Sequence, residues 1–215
     1  MMQASINQLQ NPPADISALI RRQLIMPVKR WLLLHYYIDT SYFTRQPDRV
    51  WLEKQLLPKL RRIKQGRILM VGCAPYTCDY PKHFNKGVEI ITVDIDERND
   101  IWGADKHLTA DILKIDQYLE PASCDIVLLN GVFGHGVDAK EAQEATYNVL
   151  HRIMKPDGLL LVGWNHDLIQ DPTGLPTCER LYYKDSYENL PQRMTFAEST
   201  HIFDFLRARP VMTVA

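Results

Sequence analysis

Residues 67–77 read RILMVGCAPYT, and residues 89–97 read EIITVDIDE. Four consecutive apolar side chains, Ile68 to Val71, run into a turn that starts at Gly72. A second run, Glu89 to Val93, stops at Asp94. Runs this short and this apolar suit strands buried on both faces, as in a parallel sheet covered by a layer on each side. DIVLLN at 125–130 and LLLVGW at 159–164 repeat the pattern, and a weaker strand is expected near His107-Leu108. Between the last two long strands, Ala142, Ala145, Val149, Leu150 and Ile153 mark the inner side of a helix over 139–154. Pro156-Asp157-Gly158 then turns the chain into the next strand. Short strands alternating with crossovers predict an α/β fold with a doubly wound, mostly parallel sheet. Ligands of such a sheet bind beyond the carboxyl ends of its strands.

Upstream of this block, residues 17–38 read as a helix interrupted at Pro27. Its apolar residues include Leu19, Ile20, Leu24, Ile25, Val28, Trp31, Leu32 and Leu34. Arg21, Arg22, Lys29 and Arg30 add positive charge, with no acid between Ser17 and Leu34. Residues 17–34 therefore suit a peripheral membrane surface or a partner, or else a cap on the domain that follows. Residues 36–45 read as a loop, and 47–63 as a second helix bent or divided at Pro58. The expected organisation is an N-terminal helical extension or lid over 1–65 and the α/β domain over 66–215. Downstream, residues 171–192 hold Pro172, Gly174, Pro176 and Pro191 together with Tyr182, Tyr183 and Tyr187. They predict a long surface loop that could close over a substrate. Residues 194–206 are expected to add one or two closing strands.

Composition narrows the function classes. The chain has 215 residues, 46% hydrophobic and 24% charged, with a formal net charge of −1. That balance is ordinary for a globular protein and leaves no overall footprint for nucleic acid. Residues 1–16 are polar and proline-containing, without the pattern of a signal peptide, and are expected to fray. No apolar run is long enough to cross a bilayer. Cys73, Cys78, Cys124 and Cys178 contain no CxxC spacing and are expected to be unpaired thiols of a cytoplasmic protein. His83, His107, His151 and His201 show no spacing that suggests a metal, and no metal is expected. Neither GxSxG nor GxxxxGK[ST] occurs, which removes the nucleophile elbow and the phosphate loop.

The candidate site follows from strand ends. Gly72 lets the backbone turn sharply and approach a ligand. Asp94, 22 residues later, stands where a carboxylate can accept hydrogen bonds from a ribose. Asp111 follows the third strand, where it could accept from an adenine amine, with Ile112 against the ring face.

With these positions in place, the chain resembles the class I S-adenosylmethionine-dependent methyltransferases over residues 67–165. The likeness rests on ILMVGCAPYT at 68–77, ITVDIDE at 91–97, TADIL at 109–113, DIVLLNGVFGHGVD at 125–138 and VLHRIMKPDGLLLVGWN at 149–165. It implies a seven-stranded sheet closed by an antiparallel hairpin, and S-adenosyl-L-methionine as cofactor. Gly72 would lie beneath the methionine part, Asp94 would hold the ribose, and Asp111 the adenine amine. Asn130 and Gly131 would border the methyl group, and Cys73, Ala74, Ile95 and Ile112 would complete the cofactor-lining set. In that family the first motif carries an acid at the position of Met70 and glycines at those of Ala74 and Tyr76. Here only Gly72 is kept, so the loop must run differently or hold the methionine end differently.

The resemblance implies transfer of a methyl group to a small organic acceptor. Because the sulfonium already carries the activation, a base is needed only when the nucleophile must lose a proton. His135 and His166, each just past a strand, are the candidate bases, and Tyr42, Tyr76 and Asp167 the candidate acceptor contacts. Two other classes share the strand pattern. One is a catalytically inactive cofactor-binding or scaffold protein, motivated by Met70 and the crowded Pro75-Tyr76. The other is an NAD(P)-linked oxidoreductase, which would want GxGxxG where this chain has GCAPYT.

Overall fold

The computed structural model describes residues 20–210. Residues 1–16, expected to fray, lie outside the described residues, as do Ser17 and Leu19 of the first expected helix. The chain divides into two compact units between Ile38 and Asp39. The expected extension over 1–65 thus spans both, with residues 39–65 inside the larger unit.

In the first unit the helix is not interrupted at Pro27. A π-helical turn, Arg21–Ile25, leads directly into the α-helix Met26–Tyr36, with Pro27 in its first turn. A proline has no N–H to donate and its ring crowds the carbonyl four residues back. The widened turn ahead of it accommodates both. Ile20, Leu24, Ile25, Val28, Trp31, Leu32 and Tyr36 are all exposed on this segment. No helix among the described residues is long and apolar enough to cross a membrane.

The second unit is built on an eight-stranded sheet. Its strands are β1 (Gly66–Val71), β2 (Val88–Asp94), β3 (Lys106–Thr109), β4 (Cys124–Asn130), β5 (Met154–Asn165), β6 (Tyr182–Lys184), β7 (Arg193–Phe196) and β8 (Ser199–Ala208). The order is β3-β2-β1-β4-β5-β8-β6, with β7 also paired to β8. The first five strands are parallel, and β8 runs antiparallel to β5, β6 and β7. The mostly parallel sheet and the closing hairpin are as expected, and the strand beyond the expected seven is the three-residue β6.

Period-two alternation divides the core into two layers. Leu69, Val71, Val127, Leu129, Leu160 and Val162 face the helix Lys140–Ile153. Ile68, Met70, Ile126, Leu128, Leu159 and Leu161 face Leu52, Leu56, Leu57 and Leu60. The latter four lie on a segment over 47–60 that runs through Pro47–Trp51, a π-helical stretch Leu52–Leu56, and Leu57–Leu60. Pro58, like Pro27, follows a π-turn and does not divide the segment.

Three local expectations are corrected. Residues 36–45 contain a helical turn, Ser41–Thr44. The turn Pro156-Asp157-Gly158 is absorbed as an irregularity within β5, where Cys124 pairs with Met154 and Ile126 with Leu159. Residues 171–192 are not one long loop. They form a short 3₁₀ turn Pro172–Gly174, a helix Pro176–Leu181, and β6. Tyr182 is fully buried and donates its hydroxyl to the Tyr147 carbonyl at 3.0 Å. Proline opens both helical turns here rather than disrupting them.

The hairpin is tied to β5 by one buried acid. Asp204, fully buried, accepts the Trp164 indole N–H at 2.8 Å and the Arg193 guanidinium at 2.6 and 3.0 Å. Removing the carboxylate leaves a buried indole donor without its acceptor and reduces the partners of the Arg193 guanidinium to Asp171 and Thr173. Asp204→Ala is expected to lower the unfolding free energy by about 3 kcal/mol, to be read from guanidinium titrations.

Candidate functional site

β1 and β4 lie side by side, and each is followed by a glycine with left-handed backbone: φ is +85° at Gly72 and +67° at Gly131. Any other residue type would be strained there. The two turns lift the chain off the sheet on either side of a crevice. Asp94, at the end of β2, fixes how far the first turn opens. Its Oδ2 accepts the Cys73 amide at 2.7 Å, and its Oδ1 accepts the Asp96 amide at 2.9 Å.

The first turn is closed without further glycines. Thr77 Oγ1 accepts the Ala74 amide at 2.9 Å and donates back to the Ala74 carbonyl at 3.0 Å, around a 3₁₀ turn Pro75–Thr77. The Tyr76 ring is directed onto the 39–65 region. It stacks on Phe43 with ring centroids 4.9 Å apart, and the Arg49 guanidinium lies 4.6 Å from its centroid.

The crevice has two lobes that share Val71, Gly72, Asp94 and Gly131. The lobe on the β2–β3 side has a volume of about 280 Å³ and is walled by Ile95, Asp111, Ile112, Val132 and His135. Asp111 caps the 3₁₀ helix Ile112–Gln117, accepting the Leu113 amide at 3.0 Å. The other lobe, about 150 Å³, lies under the 47–60 segment and is walled by Arg49, Met70, Cys73, Ala74, Tyr76, Tyr80 and Asn130. All nine positions expected to line a cofactor, Gly72, Cys73, Ala74, Asp94, Ile95, Asp111, Ile112, Asn130 and Gly131, face one lobe or the other.

The remaining candidates divide. His135 and Tyr76 line the crevice. His166 and Asp167 follow β5 but are exposed and line neither lobe. Tyr42 is 70% exposed, packs edge-on against Phe43, and is likewise absent from both walls.

Several residues outside the expected set shape the site. Tyr80 is buried, accepts a hydrogen bond from Arg49 Nη1 at 3.3 Å and donates to Glu53 Oε1 at 3.1 Å. Burial, the larger effect, pushes its phenol well above the ordinary range. His201, on β8, stands behind Asn130: its Nε2 is 2.9 Å from Asn130 Oδ1 and its Nδ1 3.1 Å from Asn165 Oδ1. Gly163 makes room for this pair, since a Cβ there would fall 2.0 Å from Asn130 Oδ1 and 2.8 Å from His201 Nε2. The only sequence signals for this arrangement were a glycine inside an apolar strand and a histidine in a closing strand.

No family model and no curated protein sequence matches the chain. Solved structures do. The N-methyltransferase NodS from Bradyrhizobium japonicum WM9, in complex with S-adenosyl-L-homocysteine, superposes with a TM-score of 0.60 at 12% identity, over 86% of this chain and 97% of that one. The chain has a class I methyltransferase fold. PH0226 protein from Pyrococcus horikoshii OT3 matches with a TM-score of 0.59 at 14% identity, over 81% of this chain and 98% of that one. A TehB-like SAM-dependent methyltransferase from Corynebacterium glutamicum gives 0.52 at 18%, over 86% and 96%. At these identities the likeness is one of fold.

Two expected outcomes test the network behind Asn130. Gly163→Ala forces Asn130 and His201 apart and is expected to cost about 2 kcal/mol, read as a lower thermal midpoint. The second concerns His201, whose imidazole burial pushes down to about 4; Asp48 opposes the shift, while Arg49 and His135 add to it. Above pH 6.5 the ring is neutral whether the chain is folded or unfolded, and it contributes no pH dependence. Between pH 6.5 and 4 the unfolded chain takes up a proton that the folded one refuses. Stability is therefore expected to fall by roughly 3 kcal/mol across that window. Urea titrations at pH 7.5 and 4.5 should show the drop, and His201→Gln should remove most of it.

Proposed function

We propose that the protein transfers a methyl group from S-adenosyl-L-methionine to a small organic acceptor. The observation that carries this reading is the two-lobed crevice, joined at Gly72, Asp94 and Gly131, over the carboxyl ends of β1, β2 and β4. Its fit to the cofactor is chemical as well as topological. Each Asp94 oxygen already accepts one amide and keeps a lone pair for a ribose hydroxyl. Asp111 and Ile112 supply an acceptor and an apolar wall for an adenine, and Gly72 and Gly131 allow close approach without a Cβ.

The cofactor supplies an activated sulfonium methyl group when bound. The chain's part is to position and to dry the reacting atoms. Asp94 and Asp111 orient the nucleoside in the larger lobe, and the methyl group is directed across Gly131 and Asn130. Met70, Leu128 and Leu161 line the smaller lobe and exclude water from it. His135 is the one candidate base on the crevice wall, and it acts only when the acceptor must lose a proton. His166, Asp167 and Tyr42 have no part in this mechanism.

Met70 favours a second reading, a cofactor-binding protein without catalysis, because a thioether cannot accept a hydrogen bond from an ammonium as a carboxylate does. Calorimetry with S-adenosylmethionine and S-adenosylhomocysteine tests the shared premise. Wild-type protein is expected to bind both. Asp94→Ala is expected to weaken both by about ten- to one-hundred-fold, the loss of charge-assisted bonds to two hydroxyls. Absence of binding to the wild type would overturn both readings. Binding with no methyl transfer in a broad acceptor screen would leave the second.

A further inference from the structure

Arg49 is the only cationic side chain in the wall of the smaller lobe, and Asp94 the only acid, among the described residues. The two are not equivalent. Both Asp94 oxygens are engaged by backbone amides, whereas the Arg49 guanidinium makes one hydrogen bond, to a neutral phenol. The nearby acids hydrogen-bond elsewhere, Asp48 to the Ser199 hydroxyl at 2.9 Å and Glu53 to the Tyr80 hydroxyl at 3.1 Å, and Asp48 acts on Arg49 only through its charge. Among the described residues no carboxylate pairs with Arg49.

The guanidinium is nonetheless held. Tyr80 fixes one nitrogen and the Tyr76 ring lies against its face, so its planar fork is pre-organised. Much of the lining of the lobe it borders is apolar, with Leu52, Leu57, Met70 and Leu161. A half-buried cation in apolar surroundings is costly without an anion, and a planar fork matches a carboxylate with two parallel bonds.

We infer that Arg49 is a carboxylate-binding residue of this crevice. Resting on the methyl-transfer reading, two ligands could bring that group: the cofactor, through its amino-acid end, or an acceptor that is itself an organic acid. The chemistry is the same in either case, a bidentate ion pair formed in the smaller lobe when the ligand enters. Met70, buried on the floor, adds no acid that would compete for the guanidinium.

Three probes separate the sources. S-adenosylhomocysteine carries the amino-acid carboxylate; 5′-methylthioadenosine keeps the nucleoside and thioether without it; benzoate, added both to free protein and to protein saturated with S-adenosylhomocysteine, stands for an acidic acceptor. Each is titrated into wild type, Arg49→Gln and Arg49→Lys, with thermal melting to confirm folding. Arg49→Gln is expected to weaken at least one carboxylate probe by about ten-fold or more while 5′-methylthioadenosine stays within about two-fold, and Arg49→Lys to recover part of the loss. An effect on S-adenosylhomocysteine assigns the group to the cofactor, and an effect confined to benzoate assigns it to the acceptor. Equal weakening of S-adenosylhomocysteine and 5′-methylthioadenosine would mean that Arg49 only shapes the lobe, and would overturn the inference. So would the absence of any effect on either carboxylate probe. If wild type binds benzoate through Arg49 but none of the adenosyl compounds, the carboxylate site stands and the methyl-transfer reading falls.

Discussion

A parallel sheet can hold a ligand at its carboxyl end only if neighbouring chains leave the sheet at the same level and in diverging directions. In this protein that condition is met by the carboxylate of Asp94. One oxygen holds the amide of Cys73, in the turn after β1, and the other holds the amide of Asp96, in the turn after β2. Gly72, with φ in the left-handed region, permits the departure that Asp94 then fixes. The lobes on either side take their shape from this point. Helix Lys140–Ile153 and the 47–60 segment cover the two faces of the sheet, and the 47–60 segment also walls the smaller lobe.

Much of this was legible in the sequence because strands buried on both faces leave an unmistakable pattern. Ile68 to Val71, Ile126 to Leu129 and Leu159 to Val162 have no polar interruption, and no alternative element uses such runs so economically. The positions that follow them were therefore placed correctly by counting. The crossovers were less legible. Residues 75–77, 80–83, 97–102 and 112–117 are 3₁₀ turns, too short to develop a helical hydrophobic period. Residues 172–184 carry the composition of a loop, yet their prolines sit at the entrances of helical turns and Tyr182 reaches the core. Tertiary packing, not local preference, decides such a stretch.

The contribution of residues 39–65 to the crevice was the least legible part. Arg49 and Glu53 look like solvated charges on an amphipathic segment, and nothing in their spacing links them to Tyr76 or Tyr80, some thirty residues away. That link exists because the turn after β1 sends its aromatic rings outward, onto the segment that covers the sheet. The glycines that a tighter loop would use are replaced here by Thr77, which closes the turn with its side chain, and by rings that lean on a neighbouring element. The departures at Ala74 and Tyr76 thus belong to one solution rather than to separate losses.

The ring of His201 lies between two amide oxygens, those of Asn130 and Asn165. A neutral imidazole carries a single N–H, so it can donate to only one of them. The other amide must turn its NH₂ toward the bare ring nitrogen, and its oxygen then faces the opposite way. When the proton rests on Nδ1, Asn130 is the amide that turns, and it offers an oxygen on its far side; when it rests on Nε2, Asn130 offers hydrogens there instead. Asn130 also forms part of the wall of the smaller lobe. The choice between acceptor and donor at that wall is therefore made behind it, by the tautomer of a histidine that lines neither lobe.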